Sequence, residues 1–137
     1  MKNMINNTPA ARMLDLLTAD VDFGTPKKIA NSETYMAVHV EKVGENLYSV
    51  AHYYEQNGDL MSDPEMVFLH VAPGLWQPVS ITQHGVGVYR EAIVFEDGKI
   101  VGYRPRLLDE LCSFTTIWMR NIKAQQGLRL ARPVKAA

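Results

Sequence analysis

The stretch VFEDGKIVGYRPRLLDELCSFTTIWMRNI, residues 94–122, decides the fold class because its hydrophobic period changes partway along. Up to Tyr103 the spacing is that of strands, and Asp97-Gly98 marks a two-residue hairpin loop between them. A type I′ turn needs positive φ at both central positions, which Asp and Gly adopt at little cost. Residues 99–103 then return as the partner strand. Pro105 ends it, and Leu107, Leu108, Leu111, Phe114, Ile117, Trp118 and Ile122 recur at intervals of three and four. That spacing predicts a long amphipathic helix, with Gly127 placed to stop it. A hairpin feeding such a helix implies an α+β domain, because the apolar face of the helix must cover a sheet.

Reading backward, residues 88–96 form the first arm of that hairpin, after Gly85 and Gly87. Residues 76–82 read as a strand following the Pro73-Gly74 turn, and residues 66–71 as a short apolar strand. Residues 47–55, rich in Tyr and Val, follow the Gly44-Glu45-Asn46 turn. The sheet opens at residues 35–41, where Met36, Val38 and Val40 alternate with His39 and Glu41. Loops this short join antiparallel neighbours, since parallel pairing needs long crossovers. The expected architecture is a mostly antiparallel sheet of about five or six strands flanked by an N-terminal and a long C-terminal helix. Thr8 and Pro9 start the N-terminal helix, on which Met13, Leu14 and Leu17 share a face. Residues 20–33, with Gly24, Pro26 and Asn31, read as a loop. A sheet covered by helix on one face leaves the other solvated or covered by something else, such as a second subunit.

A chain of 137 residues suits one domain, with a core expected over residues 8–127 and a loose tail over 128–137. With 47% hydrophobic and 21% charged residues, it has the composition of a folded chain. Cys112 is the only cysteine, which excludes an intrachain disulfide and points to the reducing cytoplasm. No apolar run has the length of a signal peptide core or a membrane span, so no membrane partner is expected. The net charge of −1 conceals an asymmetry: residues 1–103 carry 7 basic and 13 acidic side chains, and residues 104–137 carry 7 and 2. Arg120, Lys123, Arg129 and Arg132 at the basic end could attract nucleic acid. A solvated helix face followed by a tail accounts for the same charges, and no aromatic residue interleaves them after Trp118.

The most distinctive segment is YYEQNGDLMSDPEM, residues 53–66, which connects two strands. Tyr53, Tyr54, Asn57, Asp59, Asp63 and Glu65 make it the candidate partner-binding element. Its acids could also chelate a hard cation, although Asn57-Gly58 and Asp63-Pro64 are turn chemistry and the calcium-loop spacing is absent. A metal-dependent hydrolase or nuclease would use His52, Asp59, Asp63 and His70. Four histidines, His39, His52, His70 and His84, lie on or beside different strands without paired spacing. Asp97-Gly98-Lys99 has the Asp-x-Lys form of metal-dependent nucleases, with Asp63 or Glu91 as the earlier acid, but the hairpin turn explains it. Cys112 sits among Leu108, Leu111 and Trp118, a core position where thiols are inert. Gly85-Val86-Gly87 lacks the remainder of a dinucleotide fingerprint. Tyr48, Tyr53, Tyr54, Trp76 and Tyr89 supply aromatic surface for an interface or for cross-strand packing.

Ser49-Val50-Ala51-His52-Tyr53 and Asn57-Gly58-Asp59-Leu60-Met61-Ser62-Asp63-Pro64-Glu65-Met66, with Thr82-Gln83-His84-Gly85-Val86-Gly87 and the closing helix, carry a resemblance. Over residues 35–127 the chain resembles a family of small uncharacterised proteins from bacterial conjugative elements, plasmids and phages. The resemblance implies a mobile element in a bacterial cytoplasm and brings no catalytic residues or cofactor with it. The expectation is therefore a non-enzymatic accessory protein that binds another protein, such as a host defence effector of the CRISPR type. The channels of such effectors are lined with positive charge, which an acidic face can occupy. A homodimer is compatible with the uncovered sheet face.

Overall fold

A computed structural model describes residues 4–130. Helix α1, Pro9–Thr18, starts where the sequence predicts: the Thr8 hydroxyl accepts a hydrogen bond from the Ala11 N–H at 3.2 Å, with Pro9 in the first turn. Helix α2, Pro105–Gln125, ends at Gly127, whose φ of 62° lets the Leu128 N–H donate back to the Lys123 carbonyl at 2.9 Å. Its buried stripe includes Leu107, Leu108, Leu111, Thr115, Trp118, Met119 and Ile122. Thr115 is tolerated there because its hydroxyl donates to the Leu111 carbonyl at 2.7 Å. Ile117, expected on the apolar face, is 56% exposed.

Seven strands form one antiparallel sheet: β1 Ile5–Asn6, β2 Lys27–Ile29, β3 Val38–Gly44, β4 Leu47–Gln56, β5 Asp59–Ala72, β6 Leu75–Gln83 and β7 Val88–Glu91. Their order is β1-β6-β5-β4-β3-β2, with β7 also paired to β6. Strands β8, Ile93–Glu96, and β9, Lys99–Tyr103, make a separate hairpin. The α+β class and the antiparallel sheet agree with the sequence reading, whereas several boundaries do not. The segment 53–66 is no connector: it forms the outer part of a hairpin whose second arm, β5, runs through it. The expected strand 88–96 breaks at Ala92, which is buried and whose N–H donates to the Val79 carbonyl at 2.7 Å. The loop 20–33 contains the short edge strand β2.

Both helices lie on one face of the sheet and pack on each other. Val38, Val40, Val50, Met66, Phe68, Trp76 and Ile81 point toward them and are buried with Met13, Leu14, Leu17, Leu108, Met119 and Ile122. Full burial of each large side chain contributes about 1.5–3 kcal/mol, which makes this layer the principal source of stability. Leu128 and Leu130, expected in the loose tail, are half-buried against the same core. Among the described residues no helix is long and apolar enough to cross a membrane.

Candidate functional site

Because side chains alternate along a strand, the register fixes what the uncovered face presents. One cross-strand row runs Lys28, His39, Ala51, Glu65, Thr82 and Tyr89. The next row runs Glu41, Ser49, Val67, Ser80 and Glu91. Small side chains in the middle of these rows are shielded by larger neighbours, so Ser49 is only 2% exposed on a face that no helix covers.

Glu65 is the hub of this face. Its Oε2 accepts from the Ser49 hydroxyl at 2.8 Å and from the Tyr53 hydroxyl at 3.4 Å. His39 stands edge-on to the Tyr53 ring, with centroids 5.0 Å apart. Burial, then the charges of Glu65 and Glu41 and the hydrogen bond to Glu65, push the Tyr53 phenol up to about 12. Burial, then the Lys28 charge and His52, push His39 down, so its imidazole is neutral at neutral pH. Across the face, Tyr89 donates to Glu91 at 3.1 Å and its phenol is likewise raised, first by burial and then by Glu91. Lys28, His39, Glu41, Ser49 and Tyr53 line a shallow depression of about 250 Å³. Ser49 is turned into Glu65 and sealed from solvent, so it is no nucleophile. The face thus presents protonated phenols beside carboxylates.

The face continues into a projecting arm. Beyond the pair His39–Ala51, strand β4 has no partner on the β3 side. Residues 53–62 of β4 and β5 pair with each other alone, through Tyr53–Ser62, Tyr54–Met61, Glu55–Leu60 and Gln56–Asp59. At the base of the arm β5 carries one residue more than β4, and this bulge takes Asp63 out of the ladder and keeps Tyr53 on the Glu65 face. Asn57 and Gly58, with φ of 53° and 84°, close the tip as the sequence predicts. The Ser62 N–H donates to His84 Nδ1 at 3.0 Å, and Tyr54 lies so close to Gly85 that a Cβ there would fall 2.8 Å from its hydroxyl. The short 3₁₀ turn His84–Val86 thus braces the arm from one side. Glu55, Asp59 and Leu60 are exposed at its end, Leu60 by 66%.

Of the residues singled out in the sequence, Tyr53 and Glu65 meet at the hub, Tyr54, Asn57 and Asp59 lie on the arm, and Asp63 lies at its base. The metal set is not brought together: His52 donates from Nδ1 to the Ala37 carbonyl and packs edge-on against Trp118, and His70 stacks on Trp76 beside Asp15. Among the described residues no group of three or more His, Cys, Asp or Glu side chains could hold a metal ion. Asp97 and Gly98 form the β8–β9 turn. Cys112 is half-buried and its thiol is pushed up to about 11 by burial and the Asp109 charge. Arg120, Lys123 and Arg129 are exposed at the α2 end of the molecule, and Arg132 lies outside the described residues. Lys28, Glu41 and Ser49 escaped the sequence reading. For Ser49 the signal was the alternation Ser49, Ala51, Tyr53, which shares one strand face, whereas Lys28 and Glu41 reach that face only through the pairing of β2 and β3.

A family model described as a domain of unknown function (DUF6908) matches residues 10–128 of the chain. No curated protein and no solved structure matches it.

Proposed function

Since the chain belongs to the DUF6908 family, whose description assigns no activity, we propose from its geometry that it is a non-enzymatic protein-binding module. It docks the acidic arm and the adjoining uncovered sheet face onto a basic surface of its partner. One observation carries the proposal: from residue 43 to residue 89, which covers β4, β5, β6 and the arm, there is no Lys or Arg, while Glu45, Glu55, Asp59, Asp63 and Glu65 fall within that span. Acids gathered on a projecting hairpin create a one-signed field that steers a positively charged partner and sets its orientation. The phenols of Tyr53 and Tyr89 add rigid, hydrogen-bonding contact area to that face. The resemblance to proteins of conjugative elements, plasmids and phages extends the proposal to its setting: an accessory protein of a bacterial mobile element acting in the cytoplasm. In that setting the partner is a host defence effector of the CRISPR type, whose nucleic-acid channel is the basic surface.

The test is capture of an RNA-guided effector nuclease by the tagged chain at low and high salt, beside inhibition of target cleavage. The native chain is expected to retain the nuclease stoichiometrically at low salt and to slow cleavage, and the double variant Glu55→Lys, Asp59→Lys to do neither. Equal capture by native and variant chains would remove the arm from the mechanism, and no capture or inhibition would remove the defence-effector reading.

A further inference from the structure

Along the arm, β4 has an edge that its own sheet leaves unused. A two-residue hairpin loop is flanked by a hydrogen-bonded pair, here Gln56–Asp59, and bonding then alternates along the ladder. Tyr54 therefore bonds across to Met61, while Tyr53 and Glu55 turn their N–H and C=O groups away from β5. Strand β5 keeps the same phase, since the N–H of Ser62, opposite Tyr53, points out of the ladder and donates to His84. On the β3 side Ala51 still pairs with His39, but nothing among the described residues takes the backbone groups of Tyr53 and Glu55. The chain that enters β3 is diverted from them. Gln126, at the end of α2, donates from Nε2 to the Met36 carbonyl at 3.1 Å, and His52 donates from Nδ1 to the Ala37 carbonyl at 3.0 Å.

A strand edge in this state is a template for one more extended chain, and the side chains beside it select which chain fits. Tyr53 and Glu55 point to the same side of β4, so the residues of an added strand that lie opposite them fall on that side too, two apart in sequence. One of these stands beside the exposed Glu55 carboxylate, which has no ion-pair partner among the described residues. The other lies at the Tyr53 ring, with the carboxylates of Glu65 and Glu41 close to the phenol. Lys28, beyond His39, is the one cation in the two rows of this face, against Glu41, Glu65 and Glu91. Both positions therefore favour arginine or lysine, the first through an ion pair and the second through the ring face. A second copy of the arm fits less well, because pairing the two edges about a two-fold axis sets Glu55 beside the other copy's Tyr53 and its neighbouring carboxylates.

We propose that the β4 edge at residues 53–56 takes up an extended segment of the partner as an added antiparallel strand, with arginine or lysine at alternate positions of that segment set against Glu55 and Tyr53. The inference rests on the protein-binding reading above and names the part of the partner's basic surface that the arm holds: an exposed extended segment, not a helix. Tyr53 and Glu55 each exchange both backbone hydrogen bonds with the residue opposite, which supplies affinity, and the alternation of basic residues supplies selection. A shift of register by one residue would turn every basic side chain to the wrong side.

The experiment is fluorescence anisotropy of the full chain with a labelled short peptide of alternating arginine and valine, beside two N-methylated forms of it. With the arginines opposite Tyr53 and Glu55, N-methylation at arginine removes the N–H groups that face the edge and should weaken binding about tenfold or more. N-methylation at valine alters only the N–H groups that point away and should leave binding within about twofold. On the protein, Glu55→Pro removes an N–H that the β4–β5 ladder does not use and should abolish binding. Glu55→Gln removes the charge alone and should weaken binding about two- to fivefold. Circular dichroism of both variants should match the native chain. Equal loss from both methylated peptides, or loss from neither, would mean contact through charge without strand pairing and would overturn the proposal while the protein-binding reading stands. Absence of peptide binding overturns it as well, and effector capture in the preceding test then decides that reading separately. Dimers of the native chain that Glu55→Pro dissolves would assign the edge to a second copy and overturn the proposal.

Discussion

Replacing Glu65 with Ala removes the acceptor on which two side chains of the uncovered face depend, and the two lose different things. Ser49 is 2% exposed and donates to Glu65 at 2.8 Å, so its hydroxyl is left buried without a partner, at a cost of about 1–3 kcal/mol. For a chain of this length that corresponds to a fall in melting temperature of about 4–12 °C. Tyr53 is more open and bonds at 3.4 Å, so it adds little to this loss; its response is in its titration. The Glu65 charge stands second after burial among the causes that push the phenol up to about 12, so removing the charge brings the phenol partway back toward 10. Glu65→Gln separates the two effects. The amide oxygen still accepts from Ser49, so melting stays near the native value, whereas the lost charge lowers the Tyr53 phenol as in the Ala variant. Calorimetry reads the first effect. Ultraviolet titration of the phenolates, with Tyr53→Phe to assign the band, reads the second. A Glu65→Ala protein that melts with the native chain and keeps its late-titrating phenol would refute the hub.

Other expectations follow from single contacts. The fold favours the protonated Tyr53 phenol, so its contribution to stability is complete below pH 10 and is lost as pH rises through about 12; urea midpoints of the native chain should fall over that interval more than those of Tyr53→Phe. Asp15 accepts from the Nε1–H of the fully buried Trp76 at 2.9 Å, so Asp15→Ala should destabilise by about 1–3 kcal/mol, while Asp15→Asn, which keeps an acceptor oxygen, should cost less; equal midpoints for Ala and native would contradict this. The Cys112 thiol, raised to about 11 by burial and Asp109, should react with a disulfide reagent at neutral pH about 100-fold more slowly than an unperturbed thiol, and a stoichiometric burst on mixing would show the side chain to be open.

Local signals were read correctly where the chemistry is local. Thr8-Pro9, Asn57-Gly58, Asp97-Gly98 and Gly127 each serve the backbone conformation within a few residues, and each does in the structure what its side chain or its freedom at positive φ predicts. The α2 stripe was legible for the same reason, with Met119 and Thr115 missed because a methionine after Trp118 and a hydroxyl do not stand out against the leucines. The segment 53–66 misled because its acids and turn residues outweigh its alternation. A strand partnered on one side only needs no apolar face, so polar composition is no bar to strand.

The candidate surface was less legible than the fold. Tyr53 and Glu65 were singled out as members of one segment, but they are twelve residues apart and meet only because a bulge at residues 62–65 restores the match of faces. Nothing in a one-dimensional pattern announces such a shift, since a single inserted residue reverses which side chains share a face. Lys28, Glu41 and Ser49 joined the surface through strands β2, β3 and β4, whose alignment depends on pairing across the sheet. Composition, period and turn chemistry by themselves determined that this protein is an α+β domain with an antiparallel sheet, a capped first helix and a long amphipathic last one. They also determined that its acids and bases are segregated along the chain. Only the tertiary structure decided that both helices cover the same face, that residues 53–62 project as an arm, and which polar side chains meet on the face left open. Local conformation depends on neighbours in the chain, whereas register and layer order depend on contacts between residues far apart in it.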